Sequence, residues 1–400
     1  MIINSLLDTD FYKFTMGQYA WKYYSNINVK YAFINRTKVK LAENIHIADL
    51  IRELDQVRNL KFTMEELNYL NSLGIFSKNY LNFLSTLKLP PVYVSEEKGQ
   101  LVIETEGKWS EAIFWETFIL SIVNEMYYKA YGNTPIGYVG NFHDNLVPKI
   151  DRIIANPFKF VEFGTRRRFS SEIQSSLMTI MDNASGLYDS GALIGTSNVY
   201  LAKYFKLKPI GTMAHELPMV VAGLHDESLY TLKHSHDKML SQWYFMYGEE
   251  LSVALTDTFG SDFFFKDFTK EKAIQWKGLR QDSGDPFKFA QKALEFYRSY
   301  GIDSKEKLII FSDGLDIDKI LKLEKEVSPY FKTAYGWGTN LTNDVGAEPL
   351  SIVVKATMAN GRPLVKLSDN TAKALGKPKI IEKYKKAFGY ESIYTEPLYY

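Results

Sequence analysis

Polar, glycine-containing clusters recur from residue 162 onward. They are Glu162-Phe163-Gly164-Thr165-Arg166-Arg167-Arg168, Gly195-Thr196-Ser197-Asn198, Gly211-Thr212-Met213-Ala214-His215-Glu216, Thr256-Asp257, Arg280-Gln281-Asp282-Ser283-Gly284-Asp285, Ser312-Asp313-Gly314-Leu315-Asp316 and Gly336-Trp337-Gly338-Thr339-Asn340. Turn formation explains Gly, Asp and Ser in any single cluster. Together they carry two arginine groups, a histidine and several carboxylates, a set suited to an anionic substrate. Glycines ahead of a helix let backbone N–H groups approach an anion, and the helix dipole adds favourable potential. Ser312-Asp313-Gly314 and Gly336-Trp337-Gly338-Thr339 both fit a phosphate cradle. No G-x-x-x-x-G-K-[ST] loop is present, and no G-x-G-x-x-G follows the early strands, which disfavours P-loop nucleotide binding and a Rossmann dehydrogenase.

Arg166, Arg167 and Arg168 stand where a helix should begin, so their charge opposes the macrodipole unless an anion compensates it. Forked guanidinium groups suit a pyrophosphate. Asp257, Asp282 and Asp285 are candidates for Mg²⁺ or ribose hydroxyls, although helix capping accounts for Asp285. His215-Glu216 opens like a zinc motif, but Met219 occupies the second histidine position and that reading fails. His215 is then either structural or catalytic, its place in the series favouring catalysis. His234 and His236 read as surface residues.

These clusters need a scaffold that gathers them. Short apolar segments at 160–163, 192–195, 209–212, 252–255, 275–279, 308–311, 333–335 and 351–354 are mostly followed by helical patterns. Phe169, Ile173, Leu177, Ile180 and Met181 fall on one helical face, and Asp285-Pro286 forms an N-cap and first-turn pair. Alternating strands and helices predict parallel pairing in a closed (β/α) barrel, whose loops converge on one mouth. Before about residue 130 the chain mixes strands at 29–36, 91–95 and 101–105 with helices, an α+β pattern. The expected division is an N-terminal domain over 1–133 and a barrel over 134–364, followed by a segment 365–400.

Composition bounds the alternatives. Forty-eight basic residues face 47 acidic ones, which argues against a protein that coats nucleic acid. The absence of cysteine excludes disulfides and thiolate chemistry, and fits a cytoplasmic enzyme. Asp8, Asp10 and Lys13 interrupt the N-terminal stretch, unlike a signal peptide. The apolar run at 111–128 contains Glu116 and Glu125 and reads as a buried helix rather than a membrane span.

Over nearly its whole length the sequence resembles the nicotinate phosphoribosyltransferase family. The resemblance is carried by Leu7-Asp8-Thr9-Asp10-Phe11-Tyr12-Lys13, by Gly195-Thr196-Ser197-Asn198-Val199 and by the clusters around Arg166, His215, Asp282 and Asp313. It implies a type II phosphoribosyltransferase fold, with an N-terminal α/β sandwich domain beside the irregular barrel and segment 365–400 returning to that first domain. It further implies joining of nicotinate to phosphoribosyl pyrophosphate (PRPP), giving nicotinate mononucleotide and pyrophosphate for NAD salvage. ATP hydrolysis would be coupled through a phosphohistidine at His215, and a homodimer would share its sites. By motif, Phe163 and Tyr12 of the partner subunit would sandwich the pyridine ring. Arg166, Arg280 and His215 would lie near pyrophosphate, and Asp257 and Asp282 would serve ribose and Mg²⁺. Thr196, Ser312, Asp313, Gly314, Gly338 and Thr339 would hold phosphate groups. Ser197 stands where the related nicotinamide enzymes carry an aspartate, which would repel a carboxylate; with Arg280 as a partner for the acid, nicotinate is favoured.

Three rivals remain open on sequence: a phosphoribosyltransferase for nicotinamide or quinolinate, a barrel glycoside hydrolase pairing carboxylates such as Glu162 and Asp282, and a non-catalytic phosphoribosyl sensor.

Overall fold

The computed structural model describes residues 1–130, 135–184 and 191–396, so the expected boundary at 133–134 lies outside the described residues. The architecture is α/β, with an antiparallel and a parallel sheet. The chain forms two compact units: Met1–Gly211 with Trp337–Lys355, and Thr212–Gly336 with 356–399.

In the first unit, helix α1 (Phe11–Tyr23) buries its first ten residues, charged Lys13 among them. Strands β1 (Asn28–Asn35), β2 (Val92–Glu97) and β3 (Gln100–Lys108) pair antiparallel, β3 central between the other two. The apolar run containing Glu116 and Glu125 forms the buried helix α2 (Trp115–Ala130), as expected. Helix α3 (Pro135–Ala155) leads to β4 (Phe160–Glu162). Helix α4 (Ser171–Asn183) follows, capped by Ser170 and burying Ile173, Leu177 and Met181. Strand β5 (Leu193–Thr196) pairs parallel with β4 and runs into α5 (Val199–Tyr204), capped by the Asn198 side chain.

The expected strand at 209–212 does not form. Pro209 has no N–H for a ladder, and the segment makes a single bridge to Thr196, where Ile210 N–H donates to the Thr196 carbonyl at 2.9 Å.

The second unit opens with helices α6 (Glu216–Leu224) and α7 (Leu229–Tyr247). Its parallel strands β6 (Val253–Leu255), β7 (Gly278–Gln281) and β8 (Leu308–Phe311) lie side by side, and β9 (Lys332–Trp337) pairs with β8. Between them run α8 (Pro286–Ser299) and α9 (Ile317–Val327). Strand β7 begins later than the expected residue 275, because a Thr269-capped helix occupies Lys270–Gln275. Asp285 caps α8 as predicted, its Oδ1 accepting from Phe287 N–H at 2.9 Å and Lys288 N–H at 3.1 Å.

Strand β10 (Ile352–Ala359) pairs at its end with the two-residue β11 (Arg362–Pro363), and α10 (Pro378–Phe388) closes the unit. Tyr384 and Phe388 of α10 pack with Val365, Leu367, Phe259 and Phe263, and Phe388 stacks on Phe259 at 4.1 Å between ring centroids. Among the described residues no helix is long and apolar enough to cross a membrane.

Candidate active site

In the second unit, the ends of β6 and β7 and the start of α6 bring His215, Asp257 and Asp282 together, with ligand atoms within 4.8 Å of one another. His215 occupies the position just before α6, its side chain making no capping bond, and is buried. Its Nδ1 lies 2.9 Å from Thr258 Oγ1, and its Nε2 lies 2.9 Å from Asp282 Oδ2 and 3.0 Å from Lys366 Nζ. Burial lowers the His215 pKa, Lys366 lowers it further, and the attraction of Asp257 and Asp282 does not reverse the shift, which ends at about 4. The imidazole is therefore neutral near pH 7 and retains one lone pair.

Asp282 accepts from Ser312 Oγ at 2.8 Å through Oδ1. Burial alone would raise its pKa, but His215, Arg280 and Lys373 hold it well below the usual carboxylate range. Asp257 accepts from Ser283 Oγ at 2.5 Å through Oδ2, while its buried Oδ1 has no hydrogen-bond partner among the described residues. An unsatisfied buried carboxylate oxygen beside a second carboxylate fits a divalent cation.

The loop after β7 is held from within: Gln281 Nε2 donates to the carbonyls of Ser283 at 2.9 Å and Gly284 at 3.0 Å. Arg280 Nη1 donates to the Met213 carbonyl at 2.8 Å, joining two motifs. Asp313 forms an ion pair with Lys373 at 2.5 Å, and Lys373 also donates to the Asp282 carbonyl at 3.0 Å. Burial nevertheless leaves the Asp313 pKa raised despite Lys373. Gly314 takes φ +52, a left-handed turn ahead of the Asp316 cap of α9.

The first unit gathers the other predicted residues. Arg166 Nε lies 3.2 Å from Asp10 Oδ2, and its guanidinium sits 5.5 Å from the Tyr12 ring centroid. Tyr12 O–H donates to Glu116 at 3.3 Å. Ser197 Oγ donates to Asp10 Oδ1 at 2.7 Å. Thr196 Oγ donates to Glu162 at 2.6 Å. Phe163 follows β4, its N–H donating to the Trp337 carbonyl at 2.8 Å, and Gly338 and Thr339 start the helical turn Thr339–Thr342. A Cβ on Gly164 would stand 2.0 Å from Thr342 Oγ1, so the glycine is required by space rather than by φ.

The arginine triplet divides. Arg166 is partly exposed, Arg167 Nε donates to the Ile352 carbonyl, and Arg168 is buried against Asp8. Glu162 is fully enclosed and accepts from Thr196, Gly164 N–H and Gln174. A carboxylate so enclosed has no path to a glycosidic oxygen, which removes the hydrolase pairing of Glu162 with Asp282. His236 is not a surface residue. It is buried, lies 2.8 Å from Asp267 and packs against Phe263, whereas His234 is exposed.

Sequence reasoning missed Thr258, Ser283, Lys366 and Lys373. Ser283 stands inside the cluster from Arg280 to Asp285, and Thr258 directly follows Thr256-Asp257. The lysines lie in a segment whose only signal was cationic residues flanking Ser368-Asp369.

An α/β scaffold that gathers a neutral histidine, carboxylates and lysines around two strand ends defines an enzyme-type site for an anionic substrate. The nicotinate phosphoribosyltransferase (NAPRTase) family profile matches residues 158–392, and the profile of that family's N-terminal domain matches residues 7–124. Crystal structures agree. A nicotinate phosphoribosyltransferase from Vibrio cholerae is 33% identical, with TM-score 0.90, over 98% of this chain and 95% of that one. One from Porphyromonas gingivalis is 33% identical, with TM-score 0.87, over 97% of this chain and 100% of that one. A putative one from Saccharomyces cerevisiae is 31% identical, with TM-score 0.87, over 98% of this chain and 99% of that one. The chain belongs to the nicotinate phosphoribosyltransferase family.

Proposed function

We propose that the chain joins nicotinate to PRPP, giving nicotinate mononucleotide and pyrophosphate for NAD salvage, with ATP hydrolysis coupled through a phosphohistidine at His215. Family membership over both segments of the chain supports the reaction. The observation that carries the histidine assignment is a buried, neutral imidazole held at both nitrogens beside Asp282. The pyridine nitrogen attacks the anomeric carbon of PRPP and pyrophosphate leaves, so no protein nucleophile at carbon is required. Positioning and charge stabilisation then do the catalytic work.

In this reading Arg280, Asp282 and Asp257 act at the ribose and pyrophosphate. Arg166, Thr196, Ser312, Asp313, Gly314, Gly338 and Thr339 hold phosphate oxygens. Phe163 and Ser197 contact nicotinate, with Tyr12 of the partner subunit completing the pocket of a cytoplasmic homodimer. Asp257 and Asp282 would hold Mg²⁺, whose charge would neutralise the pyrophosphate; the unpartnered Asp257 Oδ1 supports that assignment.

Product formation from PRPP with nicotinate or nicotinamide, with and without ATP, tests the proposal in the wild type and in His215→Ala. Nicotinate mononucleotide, with ATP stimulation only where His215 is present, is the expected result. No product from either base overturns the enzyme reading and leaves a phosphoribosyl sensor. ATP stimulation surviving in His215→Ala moves the phosphoryl acceptor elsewhere.

A further inference from the structure

Segment 364–375 lies outside every catalytic motif, yet it delivers a buried lysine to His215. Lys366 and Leu375 exchange backbone hydrogen bonds at 3.0 and 2.9 Å, and Leu367 N–H donates to the Thr258 carbonyl at 2.9 Å. Thr258 therefore anchors the lysine's segment through its carbonyl and faces His215 Nδ1 through its hydroxyl. Lys366 is only 5% exposed, and its Nζ lies 3.0 Å from His215 Nε2 and 3.9 Å from Asp257 Oδ2.

The two contacts at Nε2 require opposite tautomers. Asp282 Oδ2 needs a hydrogen on Nε2, whereas Lys366, which can only donate, needs a lone pair there. A lone pair at Nε2 puts the hydrogen on Nδ1, where Thr258 Oγ1 accepts it. Only this second tautomer leaves Nε2 nucleophilic.

We propose that Lys366 selects the nucleophilic tautomer of His215 and then stabilises the phosphoryl group that His215 takes from ATP. The inference rests on the ATP-coupled reading above. In the step, the Nε2 lone pair attacks the γ-phosphorus and a P–N bond forms. The bond from the γ-phosphorus to the bridging oxygen breaks, and ADP leaves with that electron pair. The Nδ1 hydrogen stays on the ring, facing Thr258. As Nε2 becomes bonded to phosphorus, the Lys366 ammonium transfers its hydrogen bond to a phosphoryl oxygen, the position at which a fixed cation acts on phosphoryl transfer. Lys366 is thereby a catalytic residue for His215 phosphorylation.

The test is single-turnover transfer of acid-labile label from γ-labelled ATP to the wild type, Lys366→Met, Lys366→Arg and Thr258→Val, with folding checked by near-ultraviolet circular dichroism. Lys366→Met should slow labelling by about 100-fold at saturating ATP, the scale of one lost transition-state donor. Arginine should recover part of that rate, which a purely packing role for Lys366 would not produce. Thr258→Val, which keeps the carbonyl anchor, should slow labelling about 10-fold and carries the test if Lys366→Met does not fold. Labelling of folded Lys366→Met, or of Thr258→Val in its stead, within about threefold of wild type overturns the proposal. A wild type that converts nicotinate but takes no label overturns both ATP coupling and the role of Lys366, and leaves base transfer standing.

Discussion

Arg168 and Asp8 are joined by two parallel hydrogen bonds inside the first unit, Nη1 to Oδ1 at 2.7 Å and Nη2 to Oδ2 at 2.8 Å. Arg168 Nη1 also donates to Gln174, and Asp8 Oδ1 also accepts from Asn198, so both charges are tied into a buried network. Removing one member leaves the other charged and enclosed. Arg168→Met is therefore expected to cost about 3–5 kcal/mol in urea denaturation, and Asp8→Asn a similar amount. Lysine at 168 cannot reproduce the fork and should rescue little. In a double-mutant cycle the combined loss should fall well short of the sum; additive losses would show that the pair is not coupled.

Glu116 carries a second prediction, through pH. Burial raises its pKa, but Lys13, Lys355 and Arg166 together pull it from 4.5 to about 2. A carboxyl whose folded pKa lies below its unfolded value adds stability above the unfolded pKa, and loses it as pH falls through the folded one. The pair with Lys13, at 2.5 Å, should thus contribute fully near neutrality and fade between pH 4.5 and about 2. The shift corresponds to about 3 kcal/mol. Glu116→Gln should be less stable at pH 7, and its stability should vary less than the wild type's over that interval. An unchanged pH slope in Glu116→Gln would assign the acid transition to other carboxylates.

Sequence patterning resolved the elements whose signals are local. Asp285-Pro286 marked the start of α8 because a capping side chain and a proline act within one turn. Strand β8 was found at 308–311 because it is short and almost wholly apolar. Thr258 and Lys366 were not legible, because their contacts with His215 span 43 and 151 residues and no periodicity encodes them. His236 was misplaced for the same reason: its partner Asp267 lies 31 residues on, at the end of the helix Ser261–Asp267. The arginine triplet was read as one electrostatic unit, whereas backbone direction sends its members to different partners.

Asp285 separates capping from catalysis. Its Oδ1 accepts from two N–H groups of the first turn of α8, which accounts for the residue without any ligand. Asp285→Ala should cost about 1 kcal/mol of stability, measured by chemical denaturation. Turnover per folded molecule should be unchanged and the Mg²⁺ dependence unaltered. A weakened Mg²⁺ response in Asp285→Ala would place the residue among the metal-binding groups.

In the proposed reading Ser197 contacts nicotinate, and its surroundings sharpen what that reading predicts. Its hydroxyl donates to Asp10 Oδ1, while Asp10 Oδ2 faces Arg166 and accepts from Thr117 at 3.3 Å. An aspartate at 197 would bring a second carboxylate against buried Asp10, and two such neighbours cannot both ionise without cost. One proton would then be retained, or a cation drawn away from its present partner. The diverted cation, or any fraction of the pair that ionises fully, disfavours a nicotinate carboxylate more than a neutral carboxamide, whereas the retained proton leaves the local charge as it is. Ser197→Asp is expected to lower kcat/KM for nicotinate about 10-fold more than for nicotinamide, a difference of about 1.4 kcal/mol. Ser197→Ala, which adds no charge, should keep the wild-type preference while losing some stability. Both variants should be compared on folded protein with both bases. An unchanged preference in folded Ser197→Asp would show that discrimination lies elsewhere, with arginine contacts to the acid as the next residues to vary.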